Sequence, residues 1–363
     1  MSFSDLSGHY ERHPYPHYPL LASIRLCDTY ATNLTALWAR FNGELLPEQE
    51  GRILLAGCGA FSPYTISVAN SSAAITGVDL SRRNLRRARA HCLLHGHFKV
   101  RLLQGDFLDP AVASGPYHYI EAFGVLHHLD DPAAGLQSLE QRLMPGGIIR
   151  VMVYGRYVRQ QTESIRRALR LLRINDLSTL KRLIRGAPSG SRLRSYVENL
   201  WEARTDSGLA DLFLNPNVKT YRIDEFLEMI SCTGLQPLLF AHQGALSDPQ
   251  QEIRRLRRLE QRRDSGDNII CYLGHDCKGE ANSSAQSLLL LNPALKEAVS
   301  PLTLLTQTPM ERLGHENPRL KRQVRRFLRR FRQPFEERKI TGDERALAGK
   351  YLKELFLVRL RGC

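Results

Sequence analysis

Two aspartates, Asp79 and Asp106, each close a short apolar run. A carboxylate at a strand end can accept the two hydroxyls of a ribose or the amino group of an adenine, so this pair suits an adenosine. Upstream, Ile53-Leu54-Leu55-Ala56 runs into Gly57-Cys58-Gly59. Glycines there let the chain turn sharply and let bare backbone come close to a ligand. Downstream, the run Tyr117 to Phe123 leads to His127 and His128. An imidazole with a pKa near ~6.5 takes a proton readily at neutral pH, which makes either histidine a candidate base at the rim where an acceptor arrives. The bland reading of the same pair is that it merely starts the next helix and caps it. Ala122 and Phe123 would line the pocket beside them, and Tyr154 ends the following run.

These residues need elements that bring strand ends together. Apolar runs this short, stopped by Gly-x-Gly or by a carboxylate, read as buried parallel strands. They fall at Ile53–Ala56, Ile75–Leu80, Val100–Phe107, Tyr117–Phe123 and Ile148–Tyr154. Ser62 can cap the first helix with Pro63 at its first position, and Leu143 to Gly147 reads as a helix stop and turn. A helix starting near Asp224 and ending at Gly234 leads to two last strands, Leu235–His242 and Asn268–Gly274, with the charged helix Gln250–Arg263 between them. The expected fold is α/β: a doubly wound, Rossmann-like, mostly parallel sheet with a helical insertion at about residues 156–215. Residues 1–50 read as a loop and then a helix around Leu20 to Asn42. Residues 51–277 form the main domain. After a polar linker, Lys278 to Ser287, residues 288–363 read as a separable basic unit of four helices punctuated by prolines.

The order of these motifs resembles the class I S-adenosylmethionine-dependent methyltransferases. It is most similar to a bacterial branch, found alone or fused to tetratricopeptide repeats, whose motifs read Ala-Gly-Cys-Gly (here Ala56 to Gly59) and Gly-Val-Leu-His-His (here Gly124 to His128). Asp79-Leu80-Ser81, Asp131-Pro132 and Pro145-Gly146-Gly147 are similar too, and His13-Pro14-Tyr15-Pro16-His17-Tyr18 is similar to the branch's upstream Asn-Pro-Tyr-Pro-Arg-Trp segment. The resemblance covers roughly residues 9 to 275 and implies S-adenosylmethionine as cofactor. Gly57, Cys58 and Gly59 would then hold its methionine half, and Asp79, Leu80, Asp106 and Phe107 its adenosine half. Ala122 and Phe123 would lie near the sulfonium, with Tyr10, Tyr15 and Tyr18 as a lid and Tyr154 as a pocket residue. Two positions depart from the family: Leu55 stands where an acidic residue usually holds the methionine amino group, and Phe61 where a third glycine is usual. The implied activity is methyl transfer to a small-molecule, natural-product or peptide acceptor. RNA methylation and a non-catalytic, cofactor-binding regulatory role are the alternatives.

Charge separates the two ends of the chain. Residues 1–155 hold 13 Lys/Arg against 13 Asp/Glu, so the remainder, with 38 against 24, carries the whole excess of +14. The densest stretch, Arg319 to Arg332, sets Leu320, Val324, Phe327, Leu328 and Phe331 at helical spacing beneath a basic face. That face suits RNA or an acidic partner, or is simply solvated. No apolar run reaches the roughly 18 residues of a bilayer span, and no signal-peptide order opens the chain, so a cytoplasmic protein without a membrane partner is expected. The seven cysteines include no Cys-x-x-Cys. Cys271, His275 and Cys277 lack a second ligand pair, so neither a disulfide framework nor a metal is expected.

Overall fold

The computed structural model describes residues 3–46, 51–264 and 266–362. Seven strands, β1 (Arg52–Ala56), β2 (Ala74–Asp79), β3 (Arg101–Gln104), β4 (Tyr117–Phe123), β5 (Leu143–Val153), β6 (Gln236–Phe240) and β7 (Ile269–Gly274), form one sheet in the order β3-β2-β1-β4-β5-β7-β6. β1 to β5 pair in parallel, and β7 runs antiparallel to both its neighbours. The order reverses between β1 and β4. Connections leave the sheet in opposite directions there, which opens a crevice at the carboxyl ends of the strands.

Helices cover both faces because strand side chains alternate. One layer joins Ile53, Leu55, Tyr119 and Ile148 to α2 (Leu34–Asn42), α3 (Ser62–Ala69) and α4 (Arg82–Leu94), after α1 (Phe3–Arg12) at the N-terminus. The other joins Leu54, Ala56, Ile120 and Ile149 to α5 (Pro132–Glu140). The expected insertion is helical, with α6 (Gln160–Leu171), α7 (Leu177–Gly186), α8 (Arg192–Asn199) and α9 (Asp206–Leu214) around their own small core of Leu169, Leu180, Leu209 and Phe213. α10 (Ile223–Ser231) and α11 (Pro249–Gln261) complete the second layer through Phe226 and Ile253.

Four local expectations are corrected. The N-terminal segment begins as a helix, α1, not a loop, and the stretch from Leu20 to Asn42 divides into a 3-10 turn at Leu26–Thr32 and α2. Asn33 causes that division, since its side chain accepts the Ala36 N–H at 2.9 Å and caps α2. Phe61, not Ser62, occupies the cap position of α3. Pro145-Gly146-Gly147 lies inside β5, where the pairing with β4 shifts register.

The C-terminal unit differs most. β8 (Leu288–Leu291), β9 (Phe335–Glu336) and β10 (Leu357–Leu360) form a three-stranded antiparallel sheet accompanied by α12 (Arg322–Arg329) and α13 (Gly342–Lys353), not four helices. An unbroken run of four leucines carries no period, so sequence alone does not separate a buried strand from a helix there. Phe327, Leu328 and Phe331 are buried, and Arg322 and Arg326 point outward. This apolar interior is continuous with the first layer of the main sheet. Phe356 meets Tyr30 edge to face at 5.2 Å, and the segment expected as a linker is pinned where the Gly279 N–H donates to the Phe41 carbonyl at 3.0 Å.

Candidate active site

The crevice between β1 and β4 deepens into a cavity of about 660 Å³. Its floor is the turn after β1. Gly57 and Gly59 both adopt positive φ, +60° and +59°. A β-carbon on Gly57 would meet Val125 at 2.8 Å, and one on Gly59 the Tyr15 carbonyl oxygen at 2.9 Å, so both positions demand glycine. Asp79, at the end of β2, is buried and lines the cavity. Its carboxylate accepts the N–H groups of Gly59 at 2.7 Å and Ser81 at 2.8 Å, and the Asn84 amide at 3.2 Å. Burial raises its pKa, and these donors oppose the rise. Asp106 accepts the Leu108 N–H at 2.8 Å, and burial raises its carboxyl as well. Cys58, Leu80, Phe107 and Phe123 also line the wall.

The tyrosines expected as a lid, Tyr10, Tyr15 and Tyr18, all face this cavity. Main-chain bonds seat the segment: the Ala60 N–H donates to the Tyr15 carbonyl at 3.0 Å, and the Tyr15 N–H donates to Asn84 Oδ1 at 3.0 Å. Phe61, in the place of a family glycine, stacks against Tyr18 at 4.4 Å. Its ring is thus part of the lid contact.

Two expected residues fall elsewhere. Ala122 is buried in the apolar layer behind the sheet because neighbours on a strand face opposite ways; Glu121 and Phe123 take the cavity side. His127 also lies outside the wall, fully buried with its ring 3.9 Å from that of Tyr154. Burial drives its pKa well down.

His128 does reach the cavity. Its Nδ1 sits 2.7 Å from the Asn217 carbonyl oxygen, which can only accept, so Nδ1 carries the hydrogen and the neutral ring keeps its lone pair on Nε2. Burial lowers its pKa, and the field of Asp211 acts in the opposite sense. Asp211, on α9 of the insertion, is buried yet lines the cavity; it accepts the Tyr10 hydroxyl at 3.0 Å and the Asn215 amide at 3.1 Å. Arg159 stacks over Tyr154 at 3.9 Å and pairs with Glu202 at 3.1 Å. Sequence reasoning missed Asp211 and Glu202, which stand in no motif. Glu121 and Arg150, an ion pair at 2.7 Å on β4 and β5, also escaped it, although their places on strands facing the crevice were a usable signal. No cluster of metal-ligating side chains occurs among the described residues, and no helix of the structure is long and apolar enough to cross a membrane.

Comparison with known proteins agrees with this geometry. Residues 30–187 match the family model of a methyltransferase domain. An uncharacterized protein of Synechococcus sp. is 28% identical over 247 residues, which cover 65% of this chain and 59% of that protein. A ubiquinone biosynthesis O-methyltransferase of Vibrio cholerae is 29% identical over 176 residues, 47% of this chain and 68% of that enzyme. Among solved structures, PKMT2 from Rickettsia typhi shares the fold with a TM-score of 0.54 at 17% identity, over 76% of this chain and 59% of that one. The chain thus spans about three fifths of the cyanobacterial relative. Residues 30–187 are thus similar to a methyltransferase domain, here carried on a seven-stranded sheet with its motif residues gathered at the strand ends.

Proposed function

We propose that the chain transfers a methyl group from S-adenosylmethionine to a hydroxyl of a small, aromatic acceptor, with His128 as the base. The observation that carries this reading is a neutral imidazole facing the same enclosed cavity as Asp79 and Asp106, beside Asp211 and under a tyrosine lid. Cavities of roughly 300–1,000 Å³ with apolar walls and a few placed polar groups are typical of small-ligand sites. This one is walled by Tyr10, Tyr15, Tyr154 and Trp201, flat faces suited to an aromatic ring. The similarity to a ubiquinone biosynthesis O-methyltransferase supports the same acceptor class. No residue of the basic helix α12 reaches the cavity wall, which favours a small acceptor over RNA.

The residues present fit the cofactor. Asp79 and Asp106 meet adenosine from β2 and β3, and the Gly57–Gly59 turn brings backbone to its sulfur-bearing end. The cofactor supplies a methyl carbon on a positively charged sulfur, already activated for displacement. The protein must align the acceptor, keep water out and take up the hydroxyl proton. His128 Nε2 receives that proton, and the Asp211 carboxylate stabilises the resulting imidazolium through space. Tyr10 holds Asp211 through its hydroxyl while closing the cavity from above.

The test combines radiolabelled methyl transfer to a panel of hydroxylated aromatics with calorimetric binding of S-adenosylhomocysteine, the demethylated product. His128→Asn should lower kcat by about 10²–10⁴-fold, the usual share of a general base, and leave product affinity within about threefold. In the wild type the rate should fall only below pH ~6.5, because a burial-lowered imidazole stays neutral above that point. Equal rates for the two proteins on an acceptor that the wild type methylates would remove His128 from the chemistry. A wild type that binds no product would defeat the cofactor reading itself.

A further inference from the structure

The cavity has a second charged region, distant from Asp79 and Asp106, built partly from outside the matched domain. Glu121 and Arg150 reach it from β4 and β5, Asp28 from the N-terminal 3-10 turn, and Arg312 from the C-terminal unit. Glu121 holds one partner on each oxygen, Arg150 at 2.7 Å on one and the Tyr119 hydroxyl on the other, which leaves a lone pair free on each. Asp28 holds Arg25 at 2.9 Å and the Met310 N–H at 2.9 Å. Arg312 has no carboxylate within ion-pair distance among the described residues; its guanidinium touches only the Met310 sulfur at 3.5 Å. Burial and the field of Arg150 both disfavour its charge. With Glu121 held by Arg150, and Asp28 by Arg25 from outside the wall, Arg312 is left on the wall without a carboxylate partner among the described residues.

The backbone around Arg312 is held rather than loose. Arg25 donates to the Thr308 carbonyl at 2.9 Å, and the Arg312 N–H donates to the Tyr30 hydroxyl at 3.2 Å. Asn317 donates to the same hydroxyl at 3.0 Å and to the Met310 carbonyl at 2.6 Å. These bonds strap residues 308–317 to the turn whose Asp28, Thr29 and Thr32 share the wall.

The sheet decides which ligand group meets this region. Neighbouring strands lie ~4.8 Å apart, so from Asp79 on β2 it is about two spacings across β1 to Glu121 on β4 and about three to Arg150 on β5. A ligand whose adenosine rests at β2 and β3 and whose chain crosses the glycine turn delivers its far end here. In S-adenosylmethionine that end is an α-amino-carboxylate. Leu55, which offers no charge, is in register with Glu121, so the carboxylate missing from β1 stands one strand away.

Resting on the cofactor reading above, we propose that Arg312 binds the α-carboxylate of the cofactor, with Glu121 beside its ammonium, so that the C-terminal unit completes the cofactor site. Charge-assisted hydrogen bonds of this kind are among the stronger polar contacts.

Two ligands isolate the effect: S-adenosylhomocysteine, which carries the amino-carboxylate, and 5′-methylthioadenosine, which has the same adenosine and sulfur without it. Calorimetry on the full chain should show Arg312→Ala weakening S-adenosylhomocysteine roughly 10–100-fold while 5′-methylthioadenosine stays within about threefold of wild type. Arg312→Lys should recover part of the loss. Retained 5′-methylthioadenosine binding certifies that the adenosine end is folded. Unchanged affinity for both ligands in Arg312→Ala, or an equal loss for both, would overturn the assignment. A wild type that binds neither ligand would defeat the cofactor reading, and this inference with it.

Discussion

Ending the chain at Gly279 removes every element after β7, and the structure lets the cost be worked out. The cut strips Phe356 from Tyr30, a side chain fully buried in the intact protein, and removes β10 from the face of α2. Uncovering Tyr30 and two α2 side chains at about 1.5–3 kcal/mol each costs about 5–9 kcal/mol. Hydrogen bonds to the remaining core also go, and three of them are enough for the accounting: Asn292 Nδ2 to the Tyr30 carbonyl at 2.9 Å, the Arg361 N–H to the Gly43 carbonyl at 2.7 Å, and the Met310 N–H to Asp28 at 2.9 Å. At about 1 kcal/mol each these three alone bring the total to at least about 8–12 kcal/mol, against about 5–15 kcal/mol for a whole domain. The unit that the charge pattern marks as separable is therefore expected to be indispensable. Residues 1–279 should aggregate or melt without cooperativity, as read by size-exclusion chromatography and thermal circular dichroism. A soluble monomer that unfolds cooperatively at the full chain's temperature would refute this accounting.

Two smaller perturbations address the glycine turn. Asp79→Asn puts an amide donor against the Gly59 N–H or the Ser81 N–H, leaving one of them without an acceptor, and should weaken S-adenosylhomocysteine binding at least about tenfold by calorimetry; unchanged affinity in a folded variant would remove Asp79 from the adenosine site. Gly59→Ala combines left-handed backbone, about 1–2 kcal/mol, with a contact 2.9 Å from the Tyr15 carbonyl, so the lid should lift and protease cleavage before Pro19 should accelerate; wild-type resistance would show that the lid does not depend on this approach.

The sheet was legible because its strands are short apolar runs ended by glycine or aspartate, and parallel strands buried on both faces leave that pattern. The placement of Asp79 and Asp106 on the cavity wall was legible for the same reason: they stand at and just past the ends of β2 and β3. Ala122 and His127 were misplaced because proximity in sequence does not say which way a side chain faces. Counting alternation back along β4 from Phe123 selects Glu121 and excludes Ala122. Asp211 and Arg312 left no such trace. Each stands in a segment with no strand to orient it, and only tertiary packing brings it to the wall. The C-terminal sheet was hidden by composition, since arginines dominate its connecting helix and four consecutive leucines carry no period.

The bonding around Tyr15 shows how the N-terminal segment and the glycine turn depend on each other. The Tyr15 N–H donates to Asn84, Asn84 donates to Asp79, and Asp79 accepts from Gly59, while Ala60, next in the turn, donates back to the Tyr15 carbonyl. These bonds join the Tyr15 segment, the glycine turn and the Asp79 carboxylate in one closed ring of contacts. A group that draws on Asp79 therefore acts on the partners that hold the lid. Tyr10, in the same segment, holds Asp211, whose field acts on His128. On the proposed function, seating the cofactor and setting the base are tied through residues 10–15, a physical means of assembling the proton acceptor only when the methyl donor is in place.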